Sequence, residues 1–499
     1  MANRPIRQLA AHAFRPTLEV KLTRRMNQTC RRVLRCLSVS LAAFLATTGN
    51  VLAHASEQTF VLLLPTNVYN SVGLGIVVLT IAMLVVLPRR LSGSFLTTIN
   101  LSRWRQREHL QTLTSCGAFV LLIYLLYVGV TGERDPLTNM LPVFIWTVWW
   151  IAIFALHGVV GNLWSWCNPW IGPYRILRRF TGLRPALLYP DRLASWPAVP
   201  VYMAFVVFVL ADAAPDDPDR LATFVAAYWI CNFVGMVLFG GTRWLSNCEC
   251  FTLLFGYVSL LAPMQVERSG RRLGAPGWAL CSRPALTVSQ SVFVLCALAA
   301  SSFDGLNETF WWLAAIGVNP LEFPGRSAVF FQTVAGILAS ALLLMVLFAL
   351  SVLLTLKFAG QESDGPSMQM AFNRLALSLL PIAFGYHLAH FFPTFLVNIQ
   401  YFLVALSDPL ATGADYLGLG SHFVTTGFFN TLATVRIIWL VQCAFIVAGH
   451  ALAVLVCHDI LRQLFASAER ALLAHVPLAI LMVLYTSFSL WLLAAPRGA

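Results

Sequence analysis

The sequence predicts an all-α polytopic integral membrane protein with about ten transmembrane helices after an N-terminal signal peptide. Hydrophobic residues make up 58% of the 499 residues and charged residues only 11%, whereas a soluble domain carries about 25% charged residues. The mean hydropathy is +0.74, so most of the chain must have lipid as its solvent. Basic residues also concentrate in alternate loops, as the topology of membrane proteins requires. The main partner is therefore the lipid bilayer.

Residues 1–55 have the composition of a basic leader and a signal peptide. Nine basic residues against Glu19 precede the first apolar run, so the leader carries most of the formal net charge of +12. This location argues against a nucleic-acid partner. A short apolar segment, Cys36–Thr48, is followed by small residues that allow cleavage after Ala53 or Ala55. Met26 offers an alternative start that gives a more usual signal length, and an uncleaved first helix is the competing interpretation.

Residues 56–499 are predicted to form a single helical membrane domain. Eighteen basic residues fall in the loops predicted to lie inside, against only Arg134, Arg220 and Arg326 in the outer loops. This asymmetry predicts a bacterial inner (cytoplasmic) membrane protein with the mature N-terminus outside. The apolar stretches of spanning length are residues 70–88, 114–131, 141–160, 196–213, 221–240, 284–302, 327–356, 372–392, 433–457 and 476–495.

Two further apolar segments have an ambiguous topology. Residues 251–264 are short and lie between basic inner segments, which favours an interfacial or re-entrant segment. Residues 394–406 follow Pro393, and could form a kinked continuation of the eighth helix or a separate outer helix. The two long outer loops, 303–326 and 407–432, have room to cover a site.

Histidines within the apolar stretches are the strongest candidates for a functional site, because ionisable groups in a membrane are costly and usually functional. His387 and His390 are three residues apart and share one helical face. His450 is the natural third member, since Gly449 allows close helix approach, and His157 is the fourth. These four residues are predicted to bind a divalent metal ion, zinc or similar, that activates water.

Asp304 and Asp408 lie in outer segments next to helix ends and are the candidates for the catalytic base or a further ligand. The competing interpretation is that the histidines form hydrogen bonds between helices. Cys248 and Cys250 are a weak candidate for a pair of ligands to a soft metal ion. The favoured interpretation is that they are structural thiols. The sequence contains no nucleophile elbow, Gly-rich phosphate loop, His-Glu-x-x-His or dinucleotide-binding motif.

Several short segments with a recognisable order and spacing run along nearly the whole mature chain. They are His54–Glu57 with Phe60–Thr66, Asn168–Trp170, Tyr189–Pro190 with Trp196–Ala198, Phe303–Leu306, Pro381–His390, Ser407–Pro409, and Gly449–His450 followed by Cys457–Asp459. Together they resemble the membrane-bound fenitrothion hydrolases, an organophosphorus hydrolase family. This resemblance implies hydrolysis of a small apolar phosphotriester of the fenitrothion type, with release of a nitrophenol. It carries over no established set of catalytic residues.

The sequence therefore favours a membrane-bound phosphotriesterase that uses a metal-activated water. The alternative is a membrane transporter or metal-handling protein that uses the same histidines. A third option is a scaffold subunit that has no catalytic activity of its own. A transporter would be expected to contain discontinuous helices or related halves, and the sequence shows no convincing pair of them.

Overall fold

The computed structural model of the protein describes residues 64–86, 97–102, 108–267, 270–322, 325–360, 365–420 and 423–496. The leader, the signal peptide and both candidate cleavage positions lie outside the described residues. The described part is a helical bundle with one small sheet. Its helices are α1 Thr66–Val86, α2 Glu108–Thr131, α3 Met140–Val160, α4 Trp164–Cys167, α5 Ile171–Thr181, α6 Ala198–Ala211, α7 Pro218–Phe239, α8 Gly241–Asn247, α9 Cys250–Val258, α10 Trp278–Ser282, α11 Val288–Asn307, α12 Phe310–Ala315, α13 Phe330–Ala359, α14 Met368–Leu375, α15 Leu380–Ser407, α16 Leu432–Leu464 and α17 Ala468–Ala494.

The helix inventory confirms the all-α polytopic membrane class. Within the described residues, nine helical segments are long and apolar enough to cross a membrane, or up to ten if a bent pair is one span. Each of the ten predicted stretches coincides with a helix. The stretch predicted at 196–213 is the exception in length, because α6 has only 14 residues. At 1.5 Å per residue it measures about 21 Å, less than the thickness of the hydrocarbon core.

The segment expected to be interfacial or re-entrant forms one arm of a bent helix pair. Helices α8 and α9 meet at an angle of 66°, and the chain turns at Cys248 and Glu249. The Glu249 side chain caps α9 by accepting hydrogen bonds from the amides of Phe251 and Thr252. A broken helix of this kind leaves backbone groups without helical partners, and Glu249 satisfies two of them.

Helix α15 continues through Pro393, so residues 394–406 belong to it and do not form a separate helix. Proline has no amide N–H, which frees the carbonyl of Ala389 one turn earlier. The side-chain amide of Gln442 on α16 donates to this carbonyl at 2.8 Å. A polar side chain from the neighbouring helix thus satisfies the group that proline leaves open.

Helices α15 and α16 approach closely at a pair of glycines. A Cβ on Gly385 would lie 2.5 Å from the carbonyl oxygen of Phe445, and one on Gly449 would lie 2.6 Å from that of Pro381. Only glycine allows the two backbones to come this close. The prediction that Gly449 permits close helix approach is confirmed. The contact holds α15, which carries His387, directly against α16, which carries His450.

Helix α3 contains a π-helical segment, Phe144–Ile153, that the sequence did not predict. π-turns are rare and occur often at functional sites. One side of this segment presents Trp150 to α15, while Trp146 and Trp149 line a cavity on another side. The π-segment therefore lies between α15 on one side and this cavity on the other.

A small antiparallel sheet joins two loops predicted to lie inside. Its strands are β1 Ile99–Ser102, β2 Met264–Glu267 and β3 Gly270–Leu273, in the order β1-β3-β2. Leu273 pairs with Ile99 on one side and with Met264 on the other. Strands of four residues carry too little periodicity to be predicted from sequence.

Candidate active site

The ionisable pair Asp304 and His390 lies between two adjacent helices of the bundle core. Asp304 is in the last turn of α11 and His390 is in the middle of α15. The Oδ2 atom of Asp304 and the Nε2 atom of His390 are 3.1 Å apart, with the two side chains 17% and 9% exposed. This distance allows a direct hydrogen bond in a largely dehydrated environment.

The second ring nitrogen of His390 is buried and has no hydrogen-bond partner within the described part of the chain. A carboxylate can only accept, so the pair with Asp304 places the proton of neutral His390 on Nε2. Nδ1 then carries a lone pair, which can take a proton or bind a metal ion. The arrangement has the base and the orienting carboxylate of a catalytic dyad.

Aromatic side chains surround His390 and hold its ring. Tyr386 stacks on it with ring centroids 5.9 Å apart, and Phe391 meets it edge-on at 4.7 Å. The Tyr386 hydroxyl occupies the space where a Cβ on Gly305 would lie. Gly305 thus allows a phenol group to reach α11 next to Asp304. A role for Tyr386 was not predicted from the sequence, although this residue directly precedes His387.

His387 lies one turn from His390 but contacts a different helix. Its Nε2 atom donates to the carbonyl of Trp150 at 3.1 Å. Its ring stacks on Phe154, with centroids 3.9 Å apart, and is 2% exposed. These contacts tie α15 to the π-segment of α3, so His387 positions one wall of the site.

His157 uses both of its ring nitrogens within the protein. Nδ1 donates to the carbonyl of Ile153 at 2.6 Å, and Nε2 accepts from the amide of Trp164 at 2.8 Å. The imidazole therefore connects the end of α3 to the start of α4. No lone pair is left for a metal ion in this arrangement.

His450 keeps one free nitrogen. Its Nδ1 atom donates to the carbonyl of Ile446 at 2.9 Å, while Nε2 is buried and without a partner among the described residues. Its ring centroid is 6.2 Å from that of Tyr485, whose hydroxyl bonds to Ser302 on α11. Tyr485 of α17 thus contacts both His450 and the helix that carries Asp304.

Asp408 organises a loop. Its carboxylate accepts hydrogen bonds from the amides of Thr412 and Gly413, at 2.9 and 2.6 Å, and from the Thr412 hydroxyl. Desolvation opposes ionisation, but these hydrogen bonds outweigh it and hold the pKa of Asp408 below its usual value. Of the two predicted catalytic carboxylates, Asp304 is the one that contacts a predicted histidine.

The donor atoms that are free determine whether the predicted residues can hold a metal ion. The described part of the chain contains no group of three or more His, Cys, Asp or Glu side chains that could hold one metal ion. Of the four predicted ligands, His390 and His450 each have a ring nitrogen without a partner. The donors do not fit a three-ligand site in this arrangement, and the metal-ligand assignment stays a prediction.

A second buried carboxyl group lies at the break between α8 and α9. Glu249 is fully buried and accepts from the hydroxyls of Tyr228 and Thr252 and from the amides of Phe251 and Thr252. At this position the sequence suggested only the sulfurs of Cys248 and Cys250 as functional groups. A glutamate directly before an apolar segment was the available signal for this site.

Comparisons with known proteins identify no relative. No protein-family model matches the chain, no curated protein matches it, and no solved structure matches its fold.

Proposed function

We propose that the protein is a membrane-embedded hydrolase of small apolar organophosphorus triesters, with Asp304 and His390 as its reacting pair. The observation that carries this proposal is the 3.1 Å contact between Asp304 and His390, combined with the unpartnered Nδ1 of His390. A buried imidazole that is oriented by a carboxylate and has one free nitrogen is suited to general-base catalysis.

The proposed reaction is the attack of water on phosphorus. The water oxygen forms a bond to phosphorus, the phosphorus–oxygen bond to the aryl group breaks, and the products are a phosphodiester acid and a phenol. Nδ1 of His390 takes the proton from water and passes it to the departing aryloxide or to solvent. Asp304 stabilises the imidazolium that forms in between. A nitrophenolate leaves readily, so little acid assistance is needed.

Two further observations support the substrate class. An uncharged aryl phosphotriester dissolves in lipid, and the pair lies on two helices that are long and apolar enough to cross the membrane. The segments that resemble the organophosphorus hydrolases include Phe303–Leu306 and Pro381–His390, which supply the two partners of the pair. The resemblance and the geometry therefore point to the same residues.

The test is nitrophenol release from fenitrothion by the purified protein in detergent or in liposomes. His390→Ala should lower turnover about 100-fold or more, because it removes the general base. His109→Ala, at an exposed position in α2, is the matched control and should leave the rate unchanged. Chelation followed by addition of zinc, cobalt or manganese tests whether a metal ion is required. Absence of turnover in folded protein under every metal condition, or full activity of His390→Ala, would overturn the proposal.

A transporter is the second candidate, and one specific observation favours it. The bent pair of α8 and α9 carries the buried Glu249 at its break, and transporters often place their sites at such discontinuous helices. Proteoliposome uptake of protons or divalent metal ions tests this function. If uptake occurs and Glu249→Gln abolishes it, while fenitrothion is not hydrolysed, transport takes first place.

A further inference from the structure

A cavity of about 360 Å³ lies on the side of α3 away from the Asp304–His390 pair. Parts of α2, α3, α4, α6, α7 and α9 form its walls. Trp150 and Phe154 of α3 contact His387, whereas Trp146 and Trp149 line the cavity. The cavity is therefore a separate space, and its volume is at the lower end of the range for small-molecule sites.

The lining of the cavity is aromatic and carries no charged side chain. Aromatic residues from five different helices face it, among them Trp149, Trp164, Trp229 and Phe251. Its polar side chains belong to Thr114, Cys167 and Tyr228. A surface of this kind favours stacking with a flat, uncharged ring and disfavours an ion.

Two indole N–H groups among the lining residues have no hydrogen-bond acceptor. The Nε1 atoms of Trp146 and Trp164 are buried and lack a partner among the described residues, and Trp164 is only 7% exposed. By contrast, Nε1 of Trp170, also in the lining, donates to the carbonyl of Trp229 at 2.9 Å. Buried donors without acceptors are costly and rare in folded proteins, so they point to a missing acceptor.

We propose that this cavity binds an uncharged quinone-type ring, whose carbonyl oxygens accept from the indole N–H groups of Trp146 and Trp164. The aromatic walls provide stacking and the indoles provide orientation. A plain acyl chain would fill the space but would leave both N–H groups without an acceptor. The cavity reaches the lipid-facing surface, because its lining includes the exposed residues Leu121 and Cys167. This binding is independent of the hydrolysis proposed above.

The first test is equilibrium binding of a short-tailed benzoquinone to the protein in nanodiscs. Trp164→Phe keeps the ring and removes one donor, and should weaken binding about five-fold, the typical effect of one lost hydrogen bond. An alkylbenzene of matched size, which has no oxygen acceptor, should bind equally to both proteins. Equal affinity of the benzoquinone for wild type and Trp164→Phe, or binding no tighter than that of the alkylbenzene, would contradict the proposal and indicate a lipid chain as occupant.

The second test blocks the cavity from α2. Gly117 lines the cavity on the same helical face as Leu121, and a Cβ there meets no heavy atom within 4 Å. Gly117→Phe should abolish benzoquinone binding without loss of thermal stability. Gly75→Phe, in α1 and equally free of contacts, is the matched control and should bind normally.

The third test follows the reactivity of cysteines in the wild-type chain. Cys167 lines the cavity and Cys231 does not, and both are exposed free thiols. Bound benzoquinone should slow maleimide labelling of Cys167 and leave labelling of Cys231 unchanged, with mass spectrometry as the readout. A small maleimide and a quinone that does not alkylate thiols must be used. Unchanged labelling of Cys167 at a saturating quinone concentration would place the ligand elsewhere and overturn the proposal.

Discussion

Asp304 on α11 and His390 on α15 form a direct ion pair or hydrogen bond, with Oδ2 and Nε2 3.1 Å apart. The contact joins the end of one core helix to the middle of another. It leaves Nδ1 of His390 as a buried nitrogen without a partner in the described chain. This relationship sets the role of each residue, because Asp304 orients the imidazole and His390 presents the reactive nitrogen.

Replacing the orienting carboxylate should lower the rate of hydrolysis and leave substrate binding largely intact. In Asp304→Asn the amide can donate to Nε2 of His390, which moves the imidazole proton to Nδ1 and removes the base. We expect kcat for fenitrothion to fall about 100-fold with little change in KM. Steady-state kinetics on the purified variant measures both. A large rise in KM with normal kcat would instead assign Asp304 to substrate binding.

The glycine contact between α15 and α16 predicts a steric effect on stability. Gly449→Ala places a methyl group 2.6 Å from the carbonyl oxygen of Pro381, so the helices must move apart. We expect a loss of about 1–3 kcal/mol, typical of overpacking in a tight core. Thermal unfolding in detergent provides the measurement, and Gly75→Ala in open space provides the control. Equal melting temperatures for the two variants would contradict the close contact.

Gln442 and Pro393 should be energetically coupled. Gln442→Leu leaves the Ala389 carbonyl without its donor and should cost about 1–3 kcal/mol. Pro393→Ala restores a backbone N–H that can bond to the same carbonyl. In the Pro393→Ala background, Gln442→Leu should therefore cost less. A double-mutant cycle from thermal unfolding gives the coupling, and additive effects would show that the two groups do not share this carbonyl.

The loop that contains Asp408 and Asp415 should loosen in acid. Hydrogen bonds from the Gly420 and Leu419 amides and the Ser407 hydroxyl lower the pKa of Asp415, and those from Thr412 and Gly413 lower that of Asp408 against desolvation. A lowered pKa in the folded state means that the carboxylates stabilise the loop above their unfolded pKa of about 4. This stability is lost as the pH falls through the folded values.

Hydrogen exchange measures this loop directly. After correction for the intrinsic rate, the amides of Gly413, Leu419 and Gly420 should lose protection as the pH falls below about 4. Asp408→Asn with Asp415→Asn should remove the pH dependence, and amides within α17 should show none. Constant protection of the loop down to pH 2 would contradict the role of these carboxylates.

The membrane class and the helix positions follow from local properties of the sequence. Hydropathy over about twenty residues depends only on neighbours in the chain, so the predicted stretches coincide with helices throughout the described region. The same holds for His387 and His390, which share a helical face because of their spacing. The close approach at Gly449 was predicted from residue size, and α15 supplied the partner glycine, Gly385.

The composition of the site depends on contacts between distant segments. Asp304 and Asp408 looked equivalent in sequence, but α11 packs beside α15 and brings only Asp304 to His390, while Asp408 is bound within its loop. His157 is a predicted ligand, and only the turn into α4 brings the Trp164 amide to its Nε2. The π-segment of α3 likewise has no local signature in the sequence. Hydropathy and spacing specify which residues enter the membrane, whereas the partner of a buried polar group is set by which helices pack together, because its hydrogen bonds must be satisfied there.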